Sequence, residues 1–343
     1  MENRRSIDSL DVAKFVAALF VVAIHTELFK GSLLQCVVFP WARMAVPLFF
    51  MISSFLFFRR QVAVGGGGAS HFAKRLMGFY SFWLVALLPL VVLSRHDRWV
   101  TGNMIGSAIN ILVDVFYRGA VPGSWFVIAL MISVIGVDFL ARRVGNVMVL
   151  CFSLLLFFFC CAHSAYWPYF KKIQWFATAS NFYTSMFISP VFTWPAAMLW
   201  VALGKFFAEK RNVLPCGRGV KFWLLVVGCA LLWSEWLFVK RNFGMSTCDT
   251  YVTLPVVCTT VFSLILNSDF QWDGARRLRS MSAVVYITHP LISQCIHYVF
   301  ECRLGCPSLL RIPLFCVTLS CSLLLANCIW RLSSRWSLLR LAY

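Results

Sequence analysis

Apolar runs of roughly twenty residues return along the whole chain, and short basic stretches separate them. A helix needs about 20 mostly apolar residues to cross a bilayer. The pattern therefore predicts an all-α integral membrane protein, a bundle of about ten transmembrane helices in which residues 1–343 form a single domain. Hydrophobic residues make up 60% of the chain and charged residues 13%, which excludes an ordinary soluble domain. The predicted spans are 10–29, 41–58, 76–94, 124–140, 147–163, 191–208, 221–239, 251–267, 282–300 and 312–330.

Basic residues set the expected orientation. The chain holds 31 Lys and Arg against 13 Asp and Glu, a net charge of +18. In a soluble protein this excess would suggest nucleic acid, but here most basic residues lie at alternate ends of the apolar runs, as the positive-inside rule describes. We therefore expect both termini in the cytoplasm and no nucleic-acid partner. The aromatic stretch 163–195 is expected to be a re-entrant or interfacial segment, whose rings either form a membrane-interface belt or hold a sugar.

Most of the 14 cysteines lie inside apolar runs, where cysteine packs as a small hydrophobic side chain. No CxxC pair occurs, so no metal site is expected. Cys302 and Cys306 fall in a predicted external loop, and the sequence leaves open whether they form a disulfide. We expect no cleavable signal peptide and no soluble domain beside the membrane unit. The stretch "VGGGGAS" predicts a flexible linker between two basic clusters.

Ionisable side chains inside predicted spans are costly, so they are candidates for function. The first span carries Asp11, Lys14 and His25. On a helix, Lys14 and His25 differ by about 20° and Asp11 and His25 by about 40°, with His25 about 16 Å beyond Lys14. This stripe is expected to face other helices or a water-filled cavity rather than lipid.

Two other spans and one isolated carboxylate extend this set. In the second span, Pro47 is expected to kink the helix because it lacks a backbone N–H. Glu235 is a lone carboxylate near the predicted outer end of the seventh span. Residues at helical spacing form one face in each of two spans: Arg43, Pro47, Phe50 and Ser54 in the second, and Ser282, Tyr286, His289 and Ser293 in the ninth.

These faces lie in motifs that resemble those of the acyltransferase 3 family of membrane acyltransferases. "DVAKFVAALFVVAIH", ending at His25, is similar to the family's first span, with Lys14 where Arg is usual. "RMAVPLFFMISSFL" resembles the second motif, Arg-x-x-x-Pro-x-Phe-Phe-x-x-Ser-Gly-Phe, with Ser54 in place of the glycine. "FAKRLMGFY", "SWFVIALM" and "SAVVYITHPLI" resemble later motifs, and Glu235 followed by "DTYVTLP" resembles a pattern in some members. The matches keep the family's order over most of the chain.

The resemblance implies an activity and a location. Such proteins move an acyl group, usually acetyl, from a cytoplasmic acyl-CoA to a hydroxyl of a glycan or cell-envelope acceptor at the outer face of the bacterial inner membrane. The implied partners are acyl-CoA, the hydroxyl acceptor and the lipid bilayer. Acyl-CoA is a substrate in this scheme, and no permanently bound cofactor is implied.

The resemblance also implies roles for single residues. His25 matches the family's essential histidine, as general base or as transient acyl carrier. Arg43 would stabilise the tetrahedral intermediate or hold the acceptor. The candidate donor-binding residues are Arg75, Lys74, Asp11 and Lys14, and the candidate acceptor-binding residues are Glu235, Tyr251, Tyr286 and His289.

Each role has a structural alternative. His25 could be a buried histidine satisfied by a neighbouring helix, and Tyr286 and His289 could serve helix packing. Arg43 could neutralise Glu235 or Glu27. Asp11 and Lys14 could pair with each other or line the donor entrance. The CoA phosphates would bind best at Lys74 and Arg75, with Arg59 and Arg60 as a second choice, but all four could instead anchor helices at the cytoplasmic face.

The alternative function is a multi-span transporter or exporter of a glycan precursor or small amphiphile. Transporters often consist of two related halves with interrupted helices, and this sequence shows no such duplication. Histidine motifs near both ends of the chain favour chemistry over transport.

Overall fold

A computed structural model describes residues 8–343 except 32, 65–67, 211–213, 215, 245–247 and 305–310. Within those ranges the chain is helical and contains no strand, which confirms the all-α prediction. A π-helical turn occupies Asp114–Arg118, and 3₁₀ turns occupy Pro190–Phe192 and Ser337–Ala342. The α-helices are α1 (Asp8–His25), α2 (Leu33–Ala42), α3 (Ala45–Val64), α4 (Ala69–Ala86), α5 (Leu88–Trp99), α6 (Met104–Val113), α7 (Trp125–Val144), α8 (Asn146–His163), α9 (Trp167–Phe170), α10 (Gln174–Met186), α11 (Trp194–Glu209), α12 (Arg218–Phe243), α13 (Leu254–Leu266), α14 (Ala275–Leu304) and α15 (Arg311–Leu332).

Each predicted span coincides with a helix or a pair of helices, but fewer of them meet the length and apolarity of a membrane crossing. In the described part of the chain five helices do so, or six if one bent pair counts as a span. The helix α1 is continuous but contains charged residues, and α11 and α13 have only 16 and 13 residues. The count of about ten spans therefore stays a prediction. The five are Val38–Ala63, Trp125–Val144, Asn146–His163, Arg218–Phe243 and Arg311–Leu332.

The predicted span 76–94 is not one straight helix. The helices α4 and α5 meet at Leu87 with a bend of 84°. Pro89 lies in the first turn of α5, where a missing N–H costs no hydrogen bond. In a continuous helix Pro89 could not donate to the carbonyl of Val85 and its ring would clash with that carbonyl, which explains why α4 does not continue straight.

The kink expected at Pro47 takes the form of a break in helical structure one turn before it, where its missing N–H and its ring would disturb a continuous helix. Pro47 lies in the first turn of α3, where its missing N–H has no partner to lose. The interruption comes earlier, at a turn formed by Arg43 and Met44 between α2 and α3, where the N–H of Met44 bonds the carbonyl of Trp41 over 3.0 Å.

The chain forms two compact units, each built from separated segments. Unit 1 comprises Met1–Ile52, Val213–Ser234 and Thr253–Tyr343. Its core is α14, which packs along α1 on one side and along α15 on the other, with smaller contacts from α2 and α13 to α1. The ninth predicted span is thus brought to the first span by tertiary packing, although the two lie far apart in sequence.

Unit 2 comprises Ser53–Asn212 and Glu235–Val252. Its core is α11, packed on α7 and α8. The rings of Phe157 on α8 and Trp200 on α11 meet edge to face at 5.3 Å. The segment predicted to be re-entrant or interfacial forms the short helices α9 and α10 and a 3₁₀ turn, with Trp175 and Phe182 exposed.

Candidate active site

His25 is the last residue of α1, and the chain turn after it fixes its position. The N–H of Leu28 bonds the carbonyl of Ala23 and the N–H of Glu27 bonds the carbonyl of Ile24, both over 3.1 Å. Glu27 has a left-handed backbone with φ of +50°. This is the Schellman arrangement, in which a residue with positive φ closes the helix and satisfies its last carbonyls. His25 therefore lies at the negative end of the α1 dipole, which favours a positive charge on its ring.

His25 stands next to a second histidine, His289 of α14. Their ring centroids are 5.0 Å apart and the rings are tilted by 57°. The His25 side chain is exposed, whereas His289 is fully buried. The expectation that His25 could be a sealed core histidine is therefore wrong, because the ring is accessible from outside the unit.

His289 has one satisfied and one unsatisfied ring nitrogen. Its Nδ1 lies 3.1 Å from the carbonyl oxygen of Val285, one turn earlier in α14. Its Nε2 is buried and has no hydrogen-bond partner among the described residues. A buried polar atom left without a partner costs roughly 1–3 kcal/mol. Such a cost inside a helix interface suggests that a hydrogen-bond donor occupies this position at some stage of the protein's action.

The face predicted for the ninth span is buried along its whole length. Ser282, Tyr286, His289 and Ser293 are all buried in unit 1. The Tyr286 ring lies 6.0 Å from the His289 ring and 5.4 Å from the ring of Phe49 in α3. Tyr286 therefore belongs to the apolar wall behind the histidine pair.

Asp11 is held by a residue on α14. Arg279 Nε donates to Asp11 Oδ1 over 2.7 Å and Arg279 Nη2 donates to Asp11 Oδ2 over 2.6 Å. The Asp11 side chain is 1% exposed and that of Arg279 is 43% exposed. The pair joins the first turns of α1 and α14, and the histidine pair joins them further along. The two helices are therefore parallel, and the stripe predicted on α1 faces α14 at Asp11.

Arg43 lies in the turn between α2 and α3. Its guanidinium carbon is 4.4 Å from the centroid of the Phe39 ring, a distance typical of a cation–π contact. Glu27 and Glu235 are the two acidic partners expected for Arg43. Glu27 forms a surface ion pair with Lys30 over 2.7 Å.

Glu235 and Tyr251 belong to unit 2, where they form a separate cluster. Glu235 Oε1 accepts bonds from the Tyr166 hydroxyl and from the N–H of Val252, both over 2.7 Å. Burial, and next the bond to Glu235, raise the pKa of Tyr166 above its ordinary value, so the phenol keeps its proton and donates. Tyr251 precedes Val252 in the loop of residues 249–252 and is fully buried. The carboxylate thus holds the 249–252 loop in place.

Lys74 and Arg75 lie in the second turn of α4 in unit 2, and both side chains are exposed. Exposed basic groups near a helix start can bind the phosphates of CoA. Lys14 is half-buried on α1 in unit 1. The linker at 65–67 and the bridge between Cys302 and Cys306 lie outside the residues whose side chains the structure describes.

Two charged clusters contain residues that the motifs do not mark. Arg279 sits in the basic stretch "ARRLRS", where nothing in the pattern separates it from its neighbours. Asp114 in unit 2 is fully buried and accepts bonds from Arg118 over 3.1 Å and from Trp99 over 2.9 Å. Asp114 is a lone carboxylate after the apolar run "INILV", the same signal that marks Glu235, so it could have been found.

An apolar groove of about 520 Å³ lies on unit 1 between α1, α3 and α13. None of the ten candidate residues lines this groove. Among the described residues, no three His, Cys, Asp or Glu side chains lie together so that they could hold a metal ion. The candidate site in unit 1 is therefore an accessible histidine backed by a buried one.

A protein-family model described as an acyltransferase domain matches residues 7–338. Two proteins of Enterococcus faecalis, each named "Amino-acid racemase", are similar to this chain. One is 25% identical over 310 residues, which cover 85% of this chain and 42% of the relative. The other is 23% identical over 308 residues, which cover 87% and 41%. The chain thus spans about two fifths of the length of these relatives. No solved structure matches it.

Proposed function

This chain belongs to the acyltransferase 3 family, and from that membership we propose that it transfers an acyl group, acetyl in the first instance, from acyl-CoA to a hydroxyl. The donor would bind from the cytoplasm, and the acceptor would be a glycan or another cell-envelope molecule on the far side of a bacterial inner membrane. The observation that carries the proposal is His25, an accessible imidazole at the end of the motif that the family match covers.

In the proposed reaction, a neutral nitrogen of His25 takes the proton of the acceptor hydroxyl while the hydroxyl oxygen attacks the thioester carbonyl. The carbon–sulfur bond then breaks, and the CoA thiolate receives the proton from His25. In the covalent version, the His25 nitrogen attacks first, CoA leaves, and the hydroxyl then attacks the acyl-imidazole. Both versions yield one ester and one CoA thiol.

The position of His25 supports its role as a base. The imidazolium formed during the reaction would lie at the C-terminus of α1, where the helix dipole stabilises a cation by about 0.3–1 kcal/mol. Arg43, in the turn before α3, would supply positive charge to the oxyanion of the tetrahedral intermediate.

Substrate binding is proposed for the remaining candidates. The exposed Lys74 and Arg75 would bind the CoA phosphates. On unit 1, Lys14 would line the donor entrance, and the buried Asp11 would act there through Arg279, which holds it. In the acceptor site, Glu235 would accept hydrogen bonds from the hydroxyls of a sugar. Tyr251 in unit 2 and Tyr286 and His289 in unit 1 are buried, and each would support acceptor-binding residues of its own unit.

The test uses inside-out membrane vesicles given radiolabelled acetyl-CoA, with label on extracytoplasmic glycan as the readout. His25→Ala is expected to reduce labelling roughly 100-fold or more, the usual loss on removing a positioned base. His96→Ala changes an exposed histidine on α5 and serves as the matched control with normal labelling. Labelling that survives His25→Ala would exclude the base role, and no labelling with any acyl-CoA in wild-type vesicles would exclude the activity.

The alternative function is transport or export of a glycan precursor or small amphiphile, which the polar faces on α1 and α14 would also suit. Uptake of such a labelled solute by wild-type vesicles, without any CoA-dependent labelling of glycan, would support transport.

A further inference from the structure

The buried nitrogen of His289 is the polar atom near the candidate site that the proposed reaction does not yet use. His289 is 1% exposed, and its Nε2 has no hydrogen-bond partner among the described residues. Its Nδ1 lies 3.1 Å from the Val285 carbonyl oxygen. A carbonyl oxygen only accepts, so Nδ1 carries the hydrogen and Nε2 of the neutral ring carries a lone pair. The His289 Nε2 atom is thus a buried hydrogen-bond acceptor with no donor among the described residues.

The His25 ring is a candidate for that donor, because it lies against the His289 ring. Its centroid lies 5.0 Å from that of His289, nearer than the Tyr286 ring at 6.0 Å. The Nε2 atom is buried, so a substrate hydroxyl cannot reach it without displacing other groups, whereas the exposed His25 can meet a substrate. When His25 takes a proton it gains a second N–H, which is the donor that His289 lacks.

We propose that His289 is a positioning residue for His25, whose protonated ring donates a hydrogen bond to the buried Nε2 of His289. This rests on the proposed function in one respect, that His25 is the base. The bond forms when His25 accepts the proton of the acceptor hydroxyl and is released when that proton passes to the CoA thiolate. No net proton leaves the pair, so the reaction balance is unchanged.

The ion pair between α1 and α14 lies far along these helices from the histidine pair. The helices packed most closely on α14 are α1 and α15. Asp11 is bound by Arg279, about 15 Å along α14 from His289, and Lys14 lies about 16 Å along α1 from His25. The other described ionisable groups on these three helices are Asp8, Arg276, Arg277, Tyr286, Cys295, His297, Tyr298, Arg311, Cys316, Cys321, Cys328 and Arg331.

Two substitutions of equal length separate this role from simple packing. His289→Gln places an amide oxygen near the position of Nε2 and keeps an acceptor there. His289→Met fills a similar volume and carries no comparable acceptor. We expect His289→Met to lower the acyl-transfer rate about tenfold, the factor expected from one hydrogen bond to a charged group, and His289→Gln to recover most of it.

The pH profile adds a readout that packing would not change. The rate rises with pH on the acid side as His25 loses its proton. In His289→Met the midpoint of this rise should move to lower pH, because the protonated His25 has lost its acceptor, whereas His289→Gln should keep the wild-type midpoint. Equal rates and equal midpoints in the two variants would overturn the proposal.

A measurement without substrates tests the same bond if the transfer activity itself is absent. The full chain is labelled with ¹⁵N-histidine, placed in lipid nanodiscs and titrated by NMR, with signals assigned from His25→Gln and His289→Gln. We expect His289 to be the Nδ1–H tautomer and its Nε2 signal to shift at the pH where His25 protonates. A chemical shift of His289 Nε2 that does not change when His25 is protonated would refute the bond, whatever the vesicle assay shows.

Discussion

The carboxylate of Asp11 is almost fully buried, and a single arginine, Arg279, compensates its charge. Arg279 meets both carboxylate oxygens with two parallel bonds, a geometry that lysine cannot reproduce. Taking a carboxylate out of water is costly unless the charge is paired and hydrogen-bonded. At the residue scale, therefore, this pair fixes the start of α1 against the start of α14, and the histidine pair fixes the other contact between these helices.

Replacing Arg279 by Gln should destabilise the protein by about 2 kcal/mol, because it leaves a buried carboxylate without its charged partner. The loss is at the low end for a buried ion pair because water screens the Arg279 side chain, which is 43% exposed. The apparent melting temperature in detergent measures the effect. Arg276→Gln removes an equal charge from an exposed position one turn earlier and should leave the melting temperature unchanged. Equal behaviour of the two variants would contradict the structural role of the pair.

At the scale of the element, α1 ends where its sequence offers no glycine. The position that closes the helix has a positive φ, which glycine adopts readily and other residues adopt at a cost of about 1–2 kcal/mol. Here it is Glu27, with φ of +50°. Its carboxylate binds Lys30 at the surface, a pair in which both side chains are about half exposed and which contributes little. The helix end that carries His25 is therefore strained.

Glu27→Gly should raise the apparent melting temperature, corresponding to a gain of about 0.5–1 kcal/mol, because it relieves the left-handed strain. Glu27→Ala is the matched control, since it removes the same ion pair and keeps the Cβ atom. We expect it to be no more stable than the wild type. A Glu27→Ala variant as stable as Glu27→Gly would show that the backbone strain is absent.

For the whole molecule, the distribution of basic residues predicts the orientation in the membrane. Helices alone do not show on which side a loop lies, and the short or charged helices α1, α11, α13 and α14 are not recognised as crossings by length and composition. The bent pair α4 and α5 either crosses the bilayer as a broken span or returns to the same side. The positive-inside rule favours a crossing with both termini in the cytoplasm.

Truncated fusions to alkaline phosphatase, which is active only outside the cytoplasm, test this orientation. Fusions after Gly102 and Lys172 should be active, because they follow predicted outward crossings. Fusions after Lys210 and Tyr343 should be inactive, and green fluorescent protein at Tyr343 should be fluorescent, because the basic residues around these positions are retained inside. An inactive fusion after Gly102 would show that α4 and α5 re-enter, and an active one after Tyr343 would reverse the C-terminus.

Much of the helical content follows from the sequence because backbone groups in an apolar environment must bond within their own segment. The predicted runs therefore coincide with helices, and the stripe of Asp11 and His25 follows from the helical repeat alone. The bend at Leu87 is harder to predict, since proline is tolerated within helices and only the surrounding packing decides whether the chain turns there. The interruption before Pro47 depends in the same way on the turn at Arg43.

The sequence by itself determined that this chain is helical, apolar enough for a membrane and marked by an ordered set of polar motifs, because these properties depend on composition and local periodicity. Only the tertiary structure decided that Arg279, among several equivalent arginines, holds Asp11, and that His289 lies buried behind an exposed His25. Both contacts join residues more than 250 positions apart. Their partners are selected by the packing of α1 along α14, which no local pattern encodes.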